Sequence, residues 1–295
     1  MNLLPGPCHG RRLVLLAPDD ANLEGFSRPT VDRLLHDEAL AAVQRFRGAV
    51  YLGEHNLAPS DLEPDGRHLQ PVDAQSWHLL TVGAAGTVEA CARITLHNRT
   101  ARFSDTMVAH SALAHSPVWG GLLHLAVEEE IRSAQRAEMH FAEFGGWAVA
   151  RASRCTTEAV RMVLAGYALG GLLGGVRGVS TVNRCHHSSS ILRRIGGWPL
   201  VVGGTELPCY YEPRYRADLE ILRFDSSLPN PHYRFHIAAC GAALRDITVV
   251  SAGRRTGVWP VLRCRPKNPT SDLQVKTVIP DANPGESASQ LYYTI

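Results

Sequence analysis

Apolar residues recur at helical spacing in three long stretches of the chain. Residues 31–46 carry them at every third or fourth position, which predicts an amphipathic helix. Residues 118–138 predict a second helix, with the charges of Glu128, Glu129 and Glu130 on its outer side. Residues 157–175 predict a third, more apolar helix, and a short fourth helix is expected after the next strand.

Shorter apolar runs predict the strands of a sheet. Residues 77–82 and 87–96 have the pattern of a hairpin, because the turn sequence GAAG separates them. The other predicted strands are residues 49–53, 101–105, 141–150, 176–182, 199–207 and 218–224. This order of elements is typical of an α/β fold, here an α+β sandwich in which helices flank a mixed sheet.

Composition divides the chain into three segments. Residues 1–30 are rich in Pro, Gly and Asp, and we expect a loosely ordered leader there. Residues 31–226 hold the predicted sheet and its helices. Residues 227–295 are expected to be a C-terminal extension with one helix near residues 237–244 and a mostly irregular tail. Residues 54–75 form a long polar loop, and loops of that length are usually functional or disordered.

Charge and cysteine content exclude several classes of protein. The chain has 295 residues and a formal net charge of +2. Because this net charge is small, the overall electrostatics do not indicate a nucleic-acid partner. The most apolar run, residues 163–176, is too short to cross a bilayer, and we expect no integral membrane segment. The N-terminal order of charged and apolar residues is not that of a signal peptide. Seven dispersed cysteines without CxxC spacing predict reduced thiols and a cytoplasmic location.

Three local sequences together resemble those of one known superfamily. They are the hairpin HLLTVGAAGTVEACARI with Arg93, the strand EFGGWAV that begins with Glu143, and the strand and helix GVSTVNRCHHSSSILRRIGG. Their order over residues 31–226 is similar to that of GNAT N-acyltransferases, most of all the branch of acyl-homoserine lactone synthases and long-chain N-acyl amino acid synthases. The resemblance implies transfer of an acyl group from a pantetheine thioester to the amine of an amino acid or similar small molecule.

The resemblance also implies where the reaction would occur. Strands 143–150 and 176–182 would part, and the pantetheine arm would fill the gap through amide hydrogen bonds. The backbone N–H of Trp147 or Ala148 would hold the developing oxyanion. Glu143 would accept a proton from the amine or hold its ammonium group, or it would be a solvated strand-end residue. Gly145 and Gly146 suit a bulge, a close ligand approach or tight packing.

The donor loop departs from the usual pattern of coenzyme A enzymes. Family members carry small residues where this chain has Arg154 and Thr156, whose side chains obstruct a pyrophosphate. This difference favours acyl carrier protein over coenzyme A as the donor. Basic residues flanking the cleft could receive that partner or could be scattered surface residues: Arg151, Arg154, Arg161, Arg184, Arg193 and Arg194. The expected donor contacts are Gly146, Val149, Arg151, Arg154, Cys155, Thr156 and Asn183.

The acceptor and the leaving thiolate need other groups. Arg93, Glu54 and Asp65 are the expected contacts of the amine acceptor, with the acidic loop closing over a cationic group or remaining solvated. The helix position where family members place a Tyr acid holds Leu192, so Tyr210 and Tyr211 are possible substitutes. We expect no permanently bound cofactor, only the acyl-pantetheine co-substrate.

Other functions stay open at the level of sequence. A coenzyme-A-dependent acetyltransferase of a protein or small molecule is one alternative, and a non-catalytic binding module with the same fold is another. Cys155 at a helix start could form a covalent acyl intermediate. Cys185, His186 and His187 lack a second ligand pair at zinc spacing, so no metal site is expected.

Overall fold

A mixed sheet organises the part of the chain that this computed structural model describes, residues 10–185 and 187–253. Within those residues the main sheet has 10 strands in the order β10-β11-β6-β5-β4-β3-β1-β12-β2, and β7 pairs with β11. The strands are β1 (Arg12–Ala17), β2 (Arg28–Val31), β3 (Ser76–Val82), β4 (Val88–Leu96), β5 (His140–Val149), β6 (Val176–Asn183), β7 (Trp198–Pro199), β8 (Val201–Val202), β9 (Thr205–Glu206), β10 (Tyr210–Glu212), β11 (Ala217–Asp225) and β12 (Thr248–Ser251). Strands β8 and β9 form a separate hairpin.

Helices cover both faces of the main sheet. They are α1 (Arg33–Gly53), α2 (Gly120–Arg136), α3 (Glu158–Leu172), α4 (Ser188–Ile195) and α5 (Arg234–Arg245). Apolar side chains of α1 and α2 pack against one face. Those of α3, α4 and α5 pack against the other face, where alternate residues of β1, β3, β4 and β5 complete the largest apolar core. The burial of both faces is the main source of stability.

The predicted fold class is confirmed. The β3–β4 hairpin, helix α2 and the sequence β5-α3-β6-α4 occur where the apolar pattern placed them. Strand β11 also matches its prediction, and α5 forms around residues 237–244. These elements share strong periodicity, so local pattern and tertiary packing agree.

The strand predicted at residues 49–53 is wrong, because α1 continues through them to Gly53. Gly48 lies inside this helix and has a packing role there. A side-chain carbon at Gly48 would lie 2.6 Å from the carbonyl oxygen of Gly66, so the long loop packs directly on the helix there. Val50 and Tyr51 continue the buried stripe that Val43 belongs to.

Three further predictions need correction. The predicted loosely ordered leader contains β1, which lies inside the sheet between β3 and β12 with Leu15 and Leu16 fully buried. The predicted irregular tail contributes β12, which pairs in parallel with β1 and β2. Residues 103–105 form a 3₁₀ turn instead of a strand, because Asp105 accepts the backbone N–H of Arg102. The rest of the predicted tail, residues 254–295, lies outside the described residues.

Candidate active site

Strands β5 and β6 part half-way along their length. They pair in parallel from His140 opposite Val176 to Phe144 opposite Ser180, and no pairing follows. Both strands nevertheless continue, β5 to Val149 and β6 to Asn183. The predicted opening of the sheet beside Trp147 is therefore confirmed. It exposes strand edges with which an extended ligand can form backbone hydrogen bonds.

A bulge on β5 lies at this opening. Arg93 of β4 pairs with Gly145, whereas Cys91 pairs with Ala148, so β5 has one extra residue between these pairs. Gly146 has φ of +59°, which L-residues adopt at a cost. A side-chain carbon on Gly146 would also lie 3.3 Å from Cβ of Arg93. The predicted bulge at the two glycines is confirmed.

The bulge changes the direction of the peptide groups that follow it. The carbonyl of Gly146 accepts the thiol of Cys91, and the carbonyl of Trp147 accepts the Tyr51 hydroxyl at 3.3 Å. The Ala148 N–H lies against the same Cys91 sulfur. The indole N–H of Trp147 is buried and has no hydrogen-bond partner among the described residues. A polar ligand atom beside Trp147 would satisfy it.

A cavity of about 570 Å³ passes through the opening. It reaches both faces of the sheet, because Glu143 and Arg93 lie on the α1 side and Val160 of α3 lies on the other. Most of the predicted site residues line it, namely Glu54, Arg93, Glu143, Gly146, Trp147, Ala148, Val149, Arg154, Cys155, Thr156 and Asn183. The fold thus brings eleven of the predicted site residues to one cavity.

The carboxylate of Glu143 is held in a fixed position. Its Oε2 accepts the Met107 N–H at 2.8 Å and Nε2 of His97 at 3.0 Å, and its Oε1 accepts the Val108 N–H at 3.0 Å. The residue is 8% exposed. A carboxylate offers about four lone-pair sites. One site therefore remains for a ligand N–H, on the side of Oε1.

Arg93 belongs to a buried charged cluster that adjoins the cavity. Asp73 accepts Nη2 of Arg47 at 2.7 Å and Nη1 of Arg93 at 2.8 Å. Arg93 also donates to the side chain of Gln70. All three charged groups are at least nine-tenths buried. Burial would raise the pKa of Asp73, but the hydrogen bond and charge of Arg47, with the charge of Arg93, hold that pKa below its ordinary value.

This cluster has a surplus positive charge. Two guanidinium groups share one carboxylate. Burial lowers the pKa of His68 to about 4, with the charge of Arg47 as the next cause, and burial lowers the pKa of His78 to about 4. Both histidines are therefore neutral at pH 7. Nε of Arg93 is buried without a partner in the described part of the chain, so the cavity wall has an unmatched cationic donor.

Side chains near the start of α3 partly close the cavity. Arg154 forms an ion pair with Glu54 at 2.5 Å, and its Nε donates to the Val149 carbonyl at 3.2 Å. That carbonyl belongs to the open edge of β5. Thr156 accepts the backbone N–H of Glu158, the first residue of α3, at 3.1 Å. Cys155 is an exposed thiol beside it.

Several predicted contacts lie elsewhere. Asp65 is exposed and pairs with Arg67 at 2.7 Å and Arg45 at 3.6 Å, outside the cavity lining. Arg151 is exposed and does not line the cavity. Arg161 is buried and donates to Glu158 and Thr81, so the structure contradicts its expected place on a docking surface.

The two candidate tyrosine acids differ in position. Tyr210 lines the cavity, and burial raises its pKa. Tyr211 is exposed and does not line the cavity. Leu192 is buried in the apolar core and does not reach the cavity either.

Sequence reasoning missed the residues that position these groups. Arg47, Asp73 and His97 were not predicted as site residues. Arg47 follows the buried Val43 by four residues on α1, so a charged residue within an apolar stripe was a usable signal. His97 and the amides of residues 107 and 108 gave no such signal, because only tertiary packing brings them to Glu143.

Two kinds of feature are absent from the described residues. No helix among them is long and apolar enough to cross a membrane. No group of three His, Cys, Asp or Glu side chains in that part of the chain could hold a metal ion. His186, part of the sequence considered for a metal site, lies outside the described residues.

No family model matches the chain, and no curated protein matches it significantly. Among solved structures it is similar to BjaI, a CoA-dependent acyl-homoserine lactone synthase, with 14% identity and a TM-score of 0.50 over 84% of this chain and 96% of that one. It is also similar to FeeM, an N-acyl amino acid synthase from uncultured soil microbes, with 10% identity and a TM-score of 0.43 over 74% of this chain and 92% of that one. The likeness to BjaI shows the fold alone, and the GNAT-like fold expected from the sequence is confirmed.

Proposed function

We propose that this protein is an N-acyltransferase that moves an acyl group from a pantetheine thioester to the amine of an amino acid or a similar small molecule. The proposal rests on one observation: β5 and β6 stop pairing at Phe144 and Ser180 while both strands continue along a 570 Å³ cavity. A pantetheine arm contains amides along an extended chain, so it suits such an opening.

The β5 bulge would stabilise the reacting carbonyl. A thioester beside Gly146 and Trp147 develops negative charge on its oxygen when an amine attacks. Backbone N–H groups fixed in place stabilise that charge without reorganisation. The amide of Trp147 is the better candidate, because the Ala148 amide lies against Cys91. The thiolate then leaves, and Tyr210 is the cavity residue that could return a proton to it.

Opposite charges on one cavity wall suit a zwitterionic acceptor. Arg93 pairs with Gly145, two residues after Glu143 on β5, so the two side chains lie on the same face. The remaining lone pair of Glu143 would accept an N–H of the amine and then its proton, or it would hold the ammonium form. The surplus charge of Arg93 would hold the carboxylate of the acceptor. An amino acid presents both groups on one carbon.

Acyl carrier protein is the proposed donor in preference to coenzyme A. The side chains of Arg154 and Thr156 occupy the loop at the start of α3, where a nucleotide pyrophosphate would need bare backbone. Exposed Arg151 and Arg184, which follow the ends of β5 and β6, would meet the acidic carrier together with exposed Arg194 of α4. A cytoplasmic location is part of the proposal, since the described cysteines are free thiols.

The proposal is tested by offering matched acyl-carrier and coenzyme A thioesters together with a mixture of the twenty amino acids. Mass spectrometry would detect the acylated amine, and thiol release would give its rate. We expect an N-acyl amino acid, formed faster from the carrier protein. Faster transfer from coenzyme A would contradict the proposed donor. If neither donor yields an acylated amine, the proposed function is wrong.

Replacement of Glu143 tests its role. If it is the base, Glu143→Gln should lower kcat by about 10²–10⁴-fold; if it anchors the ammonium, the KM for the amine should rise instead. The matched control is Glu63→Gln, since Glu63 is exposed and lies outside the cavity lining. Unchanged kcat and KM in a folded Glu143→Gln variant would remove this residue from the mechanism.

A further inference from the structure

A second, smaller cavity adjoins the first one at the last pair of residues that joins β5 to β6. Phe144 and Ser180 are partners in that pair. Both line the 570 Å³ cavity, and both also line a cavity of about 20 Å³ on the α3 side of the sheet. The end of the paired region is therefore a partition between two spaces.

The small cavity has an apolar lining that includes three aromatic side chains. It includes Val163 and Tyr167 of α3, Leu192 of α4 and Leu222 and Phe224 of β11. The rings of Phe144 and Phe224 lie 6.5 Å apart, and those of Tyr167 and Phe224 lie 6.3 Å apart. Its volume holds little more than one water-sized group. An apolar space of this kind favours a hydrocarbon group over water.

Phe144 and Ser180 are the lining residues that the two cavities share. Phe144 is 8% exposed and packs directly on α3, because a side-chain carbon at Gly166 would lie 2.8 Å from its ring. On the other side of the ring is the wide cavity with the β5 bulge. An acyl chain whose thioester carbonyl lies at that bulge, and which runs toward the core, would reach this ring first.

We propose that Phe144 is a specificity-determining residue that limits the length of the acyl chain. This inference rests on the proposed function, and it adds a substrate class: unbranched aliphatic acyl groups that end at the Phe144 ring. The small cavity is the space into which a longer chain would extend if the ring were smaller. Phe224 lines only the small cavity, so it lies beyond the partition.

Binding of stable donor analogues tests the proposal independently of catalysis. The probes are S-alkyl pantetheine thioethers with chains of 2 to 14 carbons, measured by calorimetry. Each methylene that enters an apolar pocket should tighten binding about fourfold. For the wild type we expect this gain to stop at one chain length. For Phe144→Ala it should continue for at least two more methylenes, which is about a 15-fold gain.

Matched variants separate the partition from a general loosening of the core. Phe224→Ala enlarges the small cavity without opening it, so the length limit should stay at its wild-type value. Phe144→Leu, which retains more packing, should shift the limit by less than Phe144→Ala and covers the case in which the alanine variant does not fold. Thermal unfolding would show which variants are folded.

The outcomes are distinguishable. If no thioether of any length binds the wild type, the proposed function fails and the inference fails with it. If thioethers bind but folded Phe144→Leu and Phe144→Ala keep the wild-type limit, only the inference is overturned. An equal shift in Phe224→Ala would also overturn it, since the partition would then not be at Phe144.

Discussion

Replacement of Asp73 by Asn should destabilise the protein severely. Asp73 is the single carboxylate between the guanidinium groups of Arg47 and Arg93, and its side chain is 2% exposed. Both of its oxygens accept N–H groups of Arg47, at 3.0 and 2.7 Å. An Asn side chain in either orientation would therefore direct its NH₂ group at a guanidinium N–H.

The size of this effect follows from burial. Removal of one partner of a buried ion pair costs about 3–5 kcal/mol, because the remaining charge is left uncompensated. Two buried guanidinium groups would remain here. A typical domain is stable by only about 5–15 kcal/mol, so Asp73→Asn should unfold at a much lower urea concentration or be partly unfolded in buffer.

Urea denaturation followed by circular dichroism measures the change, with Asp65→Asn as the matched control. Asp65 also pairs with two arginines, but it is exposed, and surface ion pairs contribute little. The control should unfold close to the wild type. Equal losses in the two variants would refute the reasoning, since they would mean that water reaches the Arg47–Asp73–Arg93 cluster.

Three further predictions concern stability. His68 and His78 have pKa values near 4 in the folded protein and about 6.5 when unfolded, so the unfolded state binds more protons between these values. The free energy of unfolding should therefore fall as pH drops from 6.5 to 4, by up to about 3 kcal/mol for each histidine. Constant stability across urea titrations in that pH range would contradict this prediction. Tyr167→Phe should change stability by less than about 1 kcal/mol or increase it, because the buried hydroxyl has no partner among the described residues, and a loss above about 2 kcal/mol would indicate a hydrogen bond. Gly146→Ala should cost about 1–2 kcal/mol from its φ of +59° alone. Gly53→Ala should be neutral or stabilising, because Gly53 is helical and its added carbon meets nothing within 4 Å. Equal melting temperatures for the two variants would argue against strain at the bulge.

Local sequence patterns predicted the elements around the opening of the sheet. β5, α3, β6 and α4 each have strong periodicity or a clear turn signal, and β3 and β4 are joined by a glycine-containing turn. Short or weakly patterned segments were less predictable. Residues 12–17 and 248–251 become strands because they pair with each other, β1 also with β3 and β12 also with β2. Most of these partners are far apart along the chain, where no local pattern records the pairing.

The candidate site was predictable only in part. Glu143, Gly146 and Trp147 lie on a single strand, so a resemblance in one short sequence located them. The Arg47–Asp73–Arg93 cluster combines a helix, a loop and a strand. Asp73 is 26 positions from Arg47 and 20 positions from Arg93, and charged residues at such spacing are usually solvated. Asp65 comes from the same acidic loop as Asp73, and the sequence alone made it an equally good candidate for a site residue. The fold nevertheless leaves Asp65 on the surface.

The central claim is that a thioester arm binds between β5 and β6 beyond Phe144 and Ser180. A crystal structure of the protein with an S-alkyl pantetheine thioether tests it most directly. We predict that the pantetheine amides form hydrogen bonds with backbone groups of residues 145–149 and 181–183 along the opening, with the sulfur beside the β5 bulge. A ligand bound at another place, or strands that pair along their full length in the complex, would contradict the account.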